Sequence, residues 1–218
     1  MEQLLRHTVS NDWMTLVVLC SVLLLVLAKH ISSVRFTEFL QLVVTDKYFY
    51  MQGKDTRFFS MFNVLLFLFQ SLSFGMLLYL LGRTFFAESL AELRFPFLTI
   101  AVGYSAFTLL KIAIEKGVGT MFSIEKVLTL YTYQKISYRN WLALIVFAFN
   151  VLLIYSFSNQ FYVLIGIVCF VLLMNTVFLV YLYKKQEKTI LPNLFYFILY
   201  LCALEISPYI ILYKTVLQ

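Results

Sequence analysis

From Phe58 to Gly82 the chain reads FFSMFNVLLFLFQSLSFGMLLYLLG, a stretch without one charged residue. A bilayer core requires about 20 mainly apolar residues per crossing helix. Only helices or closed barrels satisfy every backbone N–H and C=O in that environment. This stretch is therefore read as a transmembrane helix, and it sets the standard for the rest of the chain.

Five further stretches meet the same test. The expected spans lie near residues 13–30, 58–82, 95–114, 141–158, 161–183 and 191–213. Ser10, Asn11 and Asp12 supply N-cap residues before the first, and Pro96 suits the opening turn of the third. A short polar SNQ at Ser158 to Gln160 turns the fourth span into the fifth as a tight hairpin. The first span is not expected to be a cleaved leader, because its positive charge follows the apolar run and no small-residue cleavage site is present.

Composition agrees with this reading. The chain is 62% hydrophobic, 18% aromatic and 13% charged, with a mean hydropathy of +0.88. Soluble domains sit near half apolar and a quarter charged. No polar stretch is long enough to fold alone, so residues 1–218 are expected to form a single integral membrane domain, an all-α polytopic transmembrane bundle. The bilayer is its first partner. The net charge of +6 does not point to nucleic acid, because the basic residues are scattered through the gaps between apolar runs.

Those basic residues orient the chain. Lys29, Arg35, Lys47, Lys54 and Arg57 follow the first span; Lys111, Lys116, Lys126, Lys135 and Arg139 follow the third; Lys184, Lys185 and Lys188 follow the fifth. The opposite side carries only Arg6, Arg83, Arg94 and Lys214. Six spans then place both termini in the periplasm of a bacterial inner membrane.

Two of the basic connections are expected to hold amphipathic helices in the cytoplasmic interface. In Val34 to Met51, Phe36, Phe39, Leu40 and Val43 recur at helical spacing. In Lys111 to Asn140, an apolar set from Ile112 to Leu130 is interrupted by Lys116, Glu125 and Lys126, with Gly117 and Gly119 expected to break it in two. A re-entrant course for Lys111 to Tyr133 is the alternative.

Glu205 is the residue that most invites a function. It lies within LCALEISPYIILYK, with no other charge between Lys188 and Lys214. A carboxylate near mid-membrane costs at least roughly 2.5–3.5 kcal/mol on insertion scales. Helical spacing sets Cys202, Pro208 and Tyr209 on its face, and Pro208 bends the helix and frees the carbonyl of Leu204. Glu205 either exchanges a proton or binds a cation, or else it is neutralised and only fixes packing. Its candidate partners are Lys111, Asn150, Asn175 and Gln70. Lys111 and Glu115, four apart, are expected to pair with each other, whereas an inward Lys111 would be a counter-ion for Glu205. Ser71 and Gly75 make a small-residue face for close helix packing.

Cys20, Cys169 and Cys202 lie in apolar runs without CxxC spacing, and His7 and His30 are the only histidines. No metal site or other cofactor is therefore expected. Nucleotide-binding loops, zinc-protease and serine-hydrolase motifs are absent.

The stretches DWMTLVVLC, KYFYMQGKDTRFFSMFNVLLFLFQSLSFGMLLYLL and LPNLFYFILYLCALEISPYIILYK together resemble the Bacteroidota inner-membrane family known as domain of unknown function 4271. The most specific part is the L-C-x-L-E-x-x-P core at Leu201, Cys202, Leu204, Glu205 and Pro208. The resemblance implies a Gram-negative cytoplasmic membrane and a helical bundle, with Glu205 and Pro208 as a hallmark. The expected role is a non-enzymatic subunit or assembly factor of a cell-envelope complex, in contact with other inner-membrane proteins. The alternative is a small proton- or ion-coupled transporter or channel using Glu205.

Overall fold

The computed structural model describes residues 12–42, 60–86, 90, 94–121, 125–156 and 161–190. Every regular element among them is helical: α1 (Asp12–Ile31), α2 (Ser33–Leu40), α3 (Met61–Phe85), α4 (Pro96–Met121), α5 (Glu125–Tyr155) and α6 (Phe161–Ile190). Five of these, all but α2, are long and apolar enough to cross a membrane. The sixth expected span, 191–213, lies outside the described residues.

Local chemistry accounts for the helix ends. Asp12 stands in the first turn of α1, with Lys29 and His30 in its last, so both charges oppose the helix dipole. Ser60 caps α3 by accepting from the Asn63 backbone N–H at 3.4 Å. Pro96 opens α4, where its missing N–H leaves no bond unmade.

α3 is the hub, packed against α1, α4 and α5, while α5 also holds α4 and α6. One end of the bundle is closed by Ala28, Phe39, Leu42, Phe62, Leu66, Tyr131 and Leu182. The other end is closed by Met14, Met76 and Ile154, with Trp13 edge-on to Tyr79 at 5.0 Å. Between them, Leu142, Val146, Leu153, Leu164, Ile167 and Val171 zip α5 to α6, as the expected hairpin requires.

Small and amide residues let the helices approach. A Cβ placed on Gly75 would lie 2.9 Å from the Ala101 Cβ, so α3 and α4 meet almost backbone to backbone there. Asn150 of α5 donates Nδ2–H to the Ser73 carbonyl of α3 at 2.7 Å. The Tyr155 hydroxyl meets the Thr15 hydroxyl at 2.8 Å, tying α5 to α1.

The second connection departs from expectation. Instead of a separate helix broken at Gly117 and Gly119, α4 runs without interruption through both glycines to Met121, and α5 begins at Glu125, well before Trp141. Glycine weakens a helix interior by only about 1 kcal/mol, which packing readily overrides. In the first connection α2 is a helix as expected, though shorter. Its Phe39 is fully buried beside Phe36 and Phe62, and its end is held by Trp141, which donates Nε1–H to the Leu40 carbonyl at 3.1 Å. Val43 lies outside the described residues.

Candidate functional site

Three helix stripes converge on one cavity. Tyr104, Phe107, Thr108 and Lys111 follow one face of α4; Lys135, Tyr138, Arg139 and Leu142 follow one face of α5; Val171, Leu172, Asn175, Phe178, Leu179 and Leu182 follow one face of α6. The spacings of three, four and seven are those of neighbours on a helix surface. Phe74 of α3 closes the rear, and the enclosed volume is about 220 Å³.

One turn beyond Lys111 lies Glu115, 1% exposed. Its Oε1 accepts from Lys135 Nζ at 2.7 Å and its Oε2 from the Thr132 hydroxyl at 2.8 Å. Both acid and base are largely removed from solvent, at 2% and 10% side-chain exposure. Lys135 also stands over the Tyr131 ring, 5.8 Å from its centroid. The carboxylate expected to pair with Lys111 bridges to Lys135 and Thr132 of α5.

The cavity walls are braced by aromatic stacks. Phe74 stacks on Tyr104 at 5.5 Å, and the Tyr104 hydroxyl accepts from Gln70 Nε2–H at 2.8 Å. Tyr138 stacks on Phe178 at 5.1 Å. These contacts fix the positions of the polar groups between them.

Two polar atoms at the cavity are buried without a hydrogen-bond partner: the Thr108 hydroxyl and the Arg139 Nε–H. Among the described residues Thr108, like Ser71, departs from the usual behaviour of a helical hydroxyl. The hydroxyls of Ser73, Thr99, Ser105, Ser137 and Thr176 each donate to the carbonyl four residues back, the ordinary recourse of such residues in a helix. The Thr108 hydroxyl, 1% exposed on the same kind of helix, makes no such bond. A buried unsatisfied group costs about 1–3 kcal/mol.

The charge balance is equally one-sided. Lys111, Lys135 and Arg139 line the cavity, and among the described residues no acidic side chain does. Glu115 pairs with Lys135 from outside the lining.

Of the residues named from sequence, Lys111 and Asn175 line this cavity together. Gln70 is one bond removed, through Tyr104. Asn150 lies elsewhere, its Nδ2 engaged at the α3–α5 contact. Cys202, Glu205, Pro208 and Tyr209 lie outside the described residues. Thr108, Lys135 and Arg139 were missed as site residues, because a reading that placed residues 111–140 in the interface could not align them. The stripe 104, 108, 111, 115 was the available signal. Among the described residues no group of His, Cys, Asp and Glu could hold a metal ion.

A family model described as Domain of unknown function (DUF4271) matches residues 14–216. No curated protein and no solved structure matches the chain.

Proposed function

Because the chain belongs to the DUF4271 family, a domain of unknown function, and has five described helices long and apolar enough to cross a membrane, we propose that it is a non-enzymatic component of the bacterial inner membrane. In this reading it is a subunit or assembly factor of a cell-envelope complex, and it holds an anionic group inside its bundle. The observation that carries the reading is the cavity faced by Lys111, Lys135 and Arg139. At that cavity the Thr108 hydroxyl and the Arg139 Nε–H are buried without a hydrogen-bond partner.

The helix surfaces favour a subunit role. In their most apolar stretches only 17% of α1 and 11% of α4 is buried, against 44% for α3 and α5. α1 and α4 therefore offer wide apolar faces to lipid or to partner helices. α2 and the basic connections are assigned to the cytoplasmic side, with both termini periplasmic, on the distribution of Lys and Arg.

The test is purification of the tagged protein from its native host in a gentle detergent, with mass spectrometry of what stays bound. Stoichiometric membrane proteins are expected alongside a small anionic species. A clean monomer or homodimer would sink the subunit reading. A second reading, a proton- or ion-coupled transporter using Glu205, gains from the meeting of Lys111 and Asn175 in one cavity, since both were named as partners of that carboxylate.

A further inference from the structure

We infer that the anionic group is a carboxylate, held by the Arg139 Nε–H and the Thr108 hydroxyl. The inference rests on the anion-binding reading above and names the chemistry of its ligand. Two sources supply that chemistry: a small free carboxylic acid, or Glu205 of the chain's own C-terminal segment.

The donors are the first argument. Among the described residues, the Arg139 Nε–H and the Thr108 hydroxyl are the polar atoms of the cavity wall that are buried without a hydrogen-bond partner. Both can donate to one acceptor. A guanidinium does not shed its charge in a protein, and among the described residues no acidic side chain lines the cavity. A water would accept both bonds without answering that charge, whereas an anion does both.

Their spacing suits one small group. α4 and α5 meet at Glu115 and Lys135 and run antiparallel from there. Thr108 stands seven residues from Glu115, and Arg139 four from Lys135. Their levels along the bundle therefore differ by roughly three residues, or about 4.5 Å at ~1.5 Å per residue. Two hydrogen bonds of about 2.7–3.0 Å, one from each helix, converge across such a step on a single small acceptor.

The number of acceptors selects carboxylate over phosphate. A carboxylate offers two oxygens in one plane, the arrangement that a guanidinium edge and a hydroxyl meet. A phosphate monoester brings three strong acceptor oxygens and a charge of about −1.5 to −2, more than two unpartnered donors can answer. Most of the remaining wall is apolar, with Phe74, Phe107, Leu142, Val171 and Leu179. Such a wall packs the hydrocarbon body of a weak acid and gives nothing to further oxygens.

Size and depth fit both sources. About 220 Å³ falls below the roughly 300–1,000 Å³ of drug-sized ligand pockets, which leaves room for a short-chain acid or a single side chain. Asn175 of the cavity wall stands 15 residues before Ile190, the end of α6. Glu205, outside the described residues, stands 15 residues after it. A sixth span returning along α6 would carry Glu205 to the level of Asn175.

The experiment is calorimetric titration of the full-length chain and of Glu205→Ala, in a gentle detergent at neutral pH. The probes are hexanoate, its neutral analogue hexanamide, and inorganic phosphate. Saturable binding of one hexanoate by the unaltered chain, without hexanamide, is the result expected for a free acid. Binding of hexanoate by Glu205→Ala alone is the result expected if Glu205 fills the site. An Asn175→Cys, Glu205→Cys pair, in a chain with its native cysteines replaced, should then form a disulfide in membranes; this decides the Glu205 source by itself if Glu205→Ala does not fold. In whichever chain binds, Arg139→Gln should weaken hexanoate at least tenfold and the shape-preserving Thr108→Val severalfold, while Arg94→Gln, outside the cavity, should change nothing. Equal binding of hexanamide, or unchanged affinity in both cavity variants, would overturn the inference. Phosphate binding more tightly than hexanoate would overturn the carboxylate and leave the anion-binding reading standing. No probe bound by either chain, and no disulfide, would overturn both.

Discussion

Glu115 of α4 and Lys135 of α5 meet at 2.7 Å, 20 residues apart in sequence and nearly closed off from solvent. The carboxylate's other oxygen is filled by Thr132, so neither oxygen is left without a donor. This pair fastens the two helices that carry the cavity's cations.

Removing one member should strand the other. Glu115→Gln or Lys135→Met is expected to cost about 3–5 kcal/mol, the usual penalty for breaking a buried pair. Replacing both together with apolar residues should recover much of the loss. Thermal unfolding of the three variants in one detergent decides it, and additive losses in the double variant would mean the two residues act separately.

Gly75→Ala should force α3 from α4. The new methyl would sit 2.9 Å from the Ala101 Cβ and 3.1 Å from its Cα, rigid atoms that cannot turn aside. A loss of about 1–3 kcal/mol is expected from such overpacking. Gly103→Ala and Gly166→Ala, which meet no atom within 4 Å, should be neutral or slightly stabilising. Equal effects at all three positions would show that close approach is not what Gly75 provides.

Asn150→Leu should be mild despite full burial. It removes the bond to the Ser73 carbonyl but also a buried Oδ1 with no partner. Interhelical hydrogen bonds in membranes average about 0.6 kcal/mol, so a change below about 1 kcal/mol is expected. A loss of several kcal/mol in an unfolding titration would assign Asn150 a larger role.

Glu205→Gln separates the two functional readings. If Glu205 carries a proton, the variant should accumulate to normal level yet lose its activity in cells. Reduced accumulation with function scaling to the protein that is left would identify a packing carboxylate instead.

Apolar length was legible residue by residue. The spans at 13–30, 58–82, 95–114, 141–158 and 161–183 each find a helix, because backbone groups in lipid must bond within their own segment and a run of about 20 apolar residues can do so in one way. The turn expected at Ser158 to Gln160 lies outside the described residues. Family membership over residues 14–216 likewise needed nothing beyond the order of residues.

What the sequence concealed is the place of its charges. Lys111, Glu115, Lys135 and Arg139 read as the end of the third span and an interfacial or re-entrant connection after it, because isolated charges are costly within a membrane helix. Folded, they lie within α4 and α5, because antiparallel packing of the two helices lets Glu115 and Lys135 neutralise each other. Once that pair formed, the helices could run on through Gly117 and Gly119, and Lys111, Thr108 and Arg139 turned to a common cavity. The sequence by itself determined how many residues could cross the bilayer and in which runs. Only the tertiary structure decided which charges lie within the bundle, since that depends on a partner from another helix.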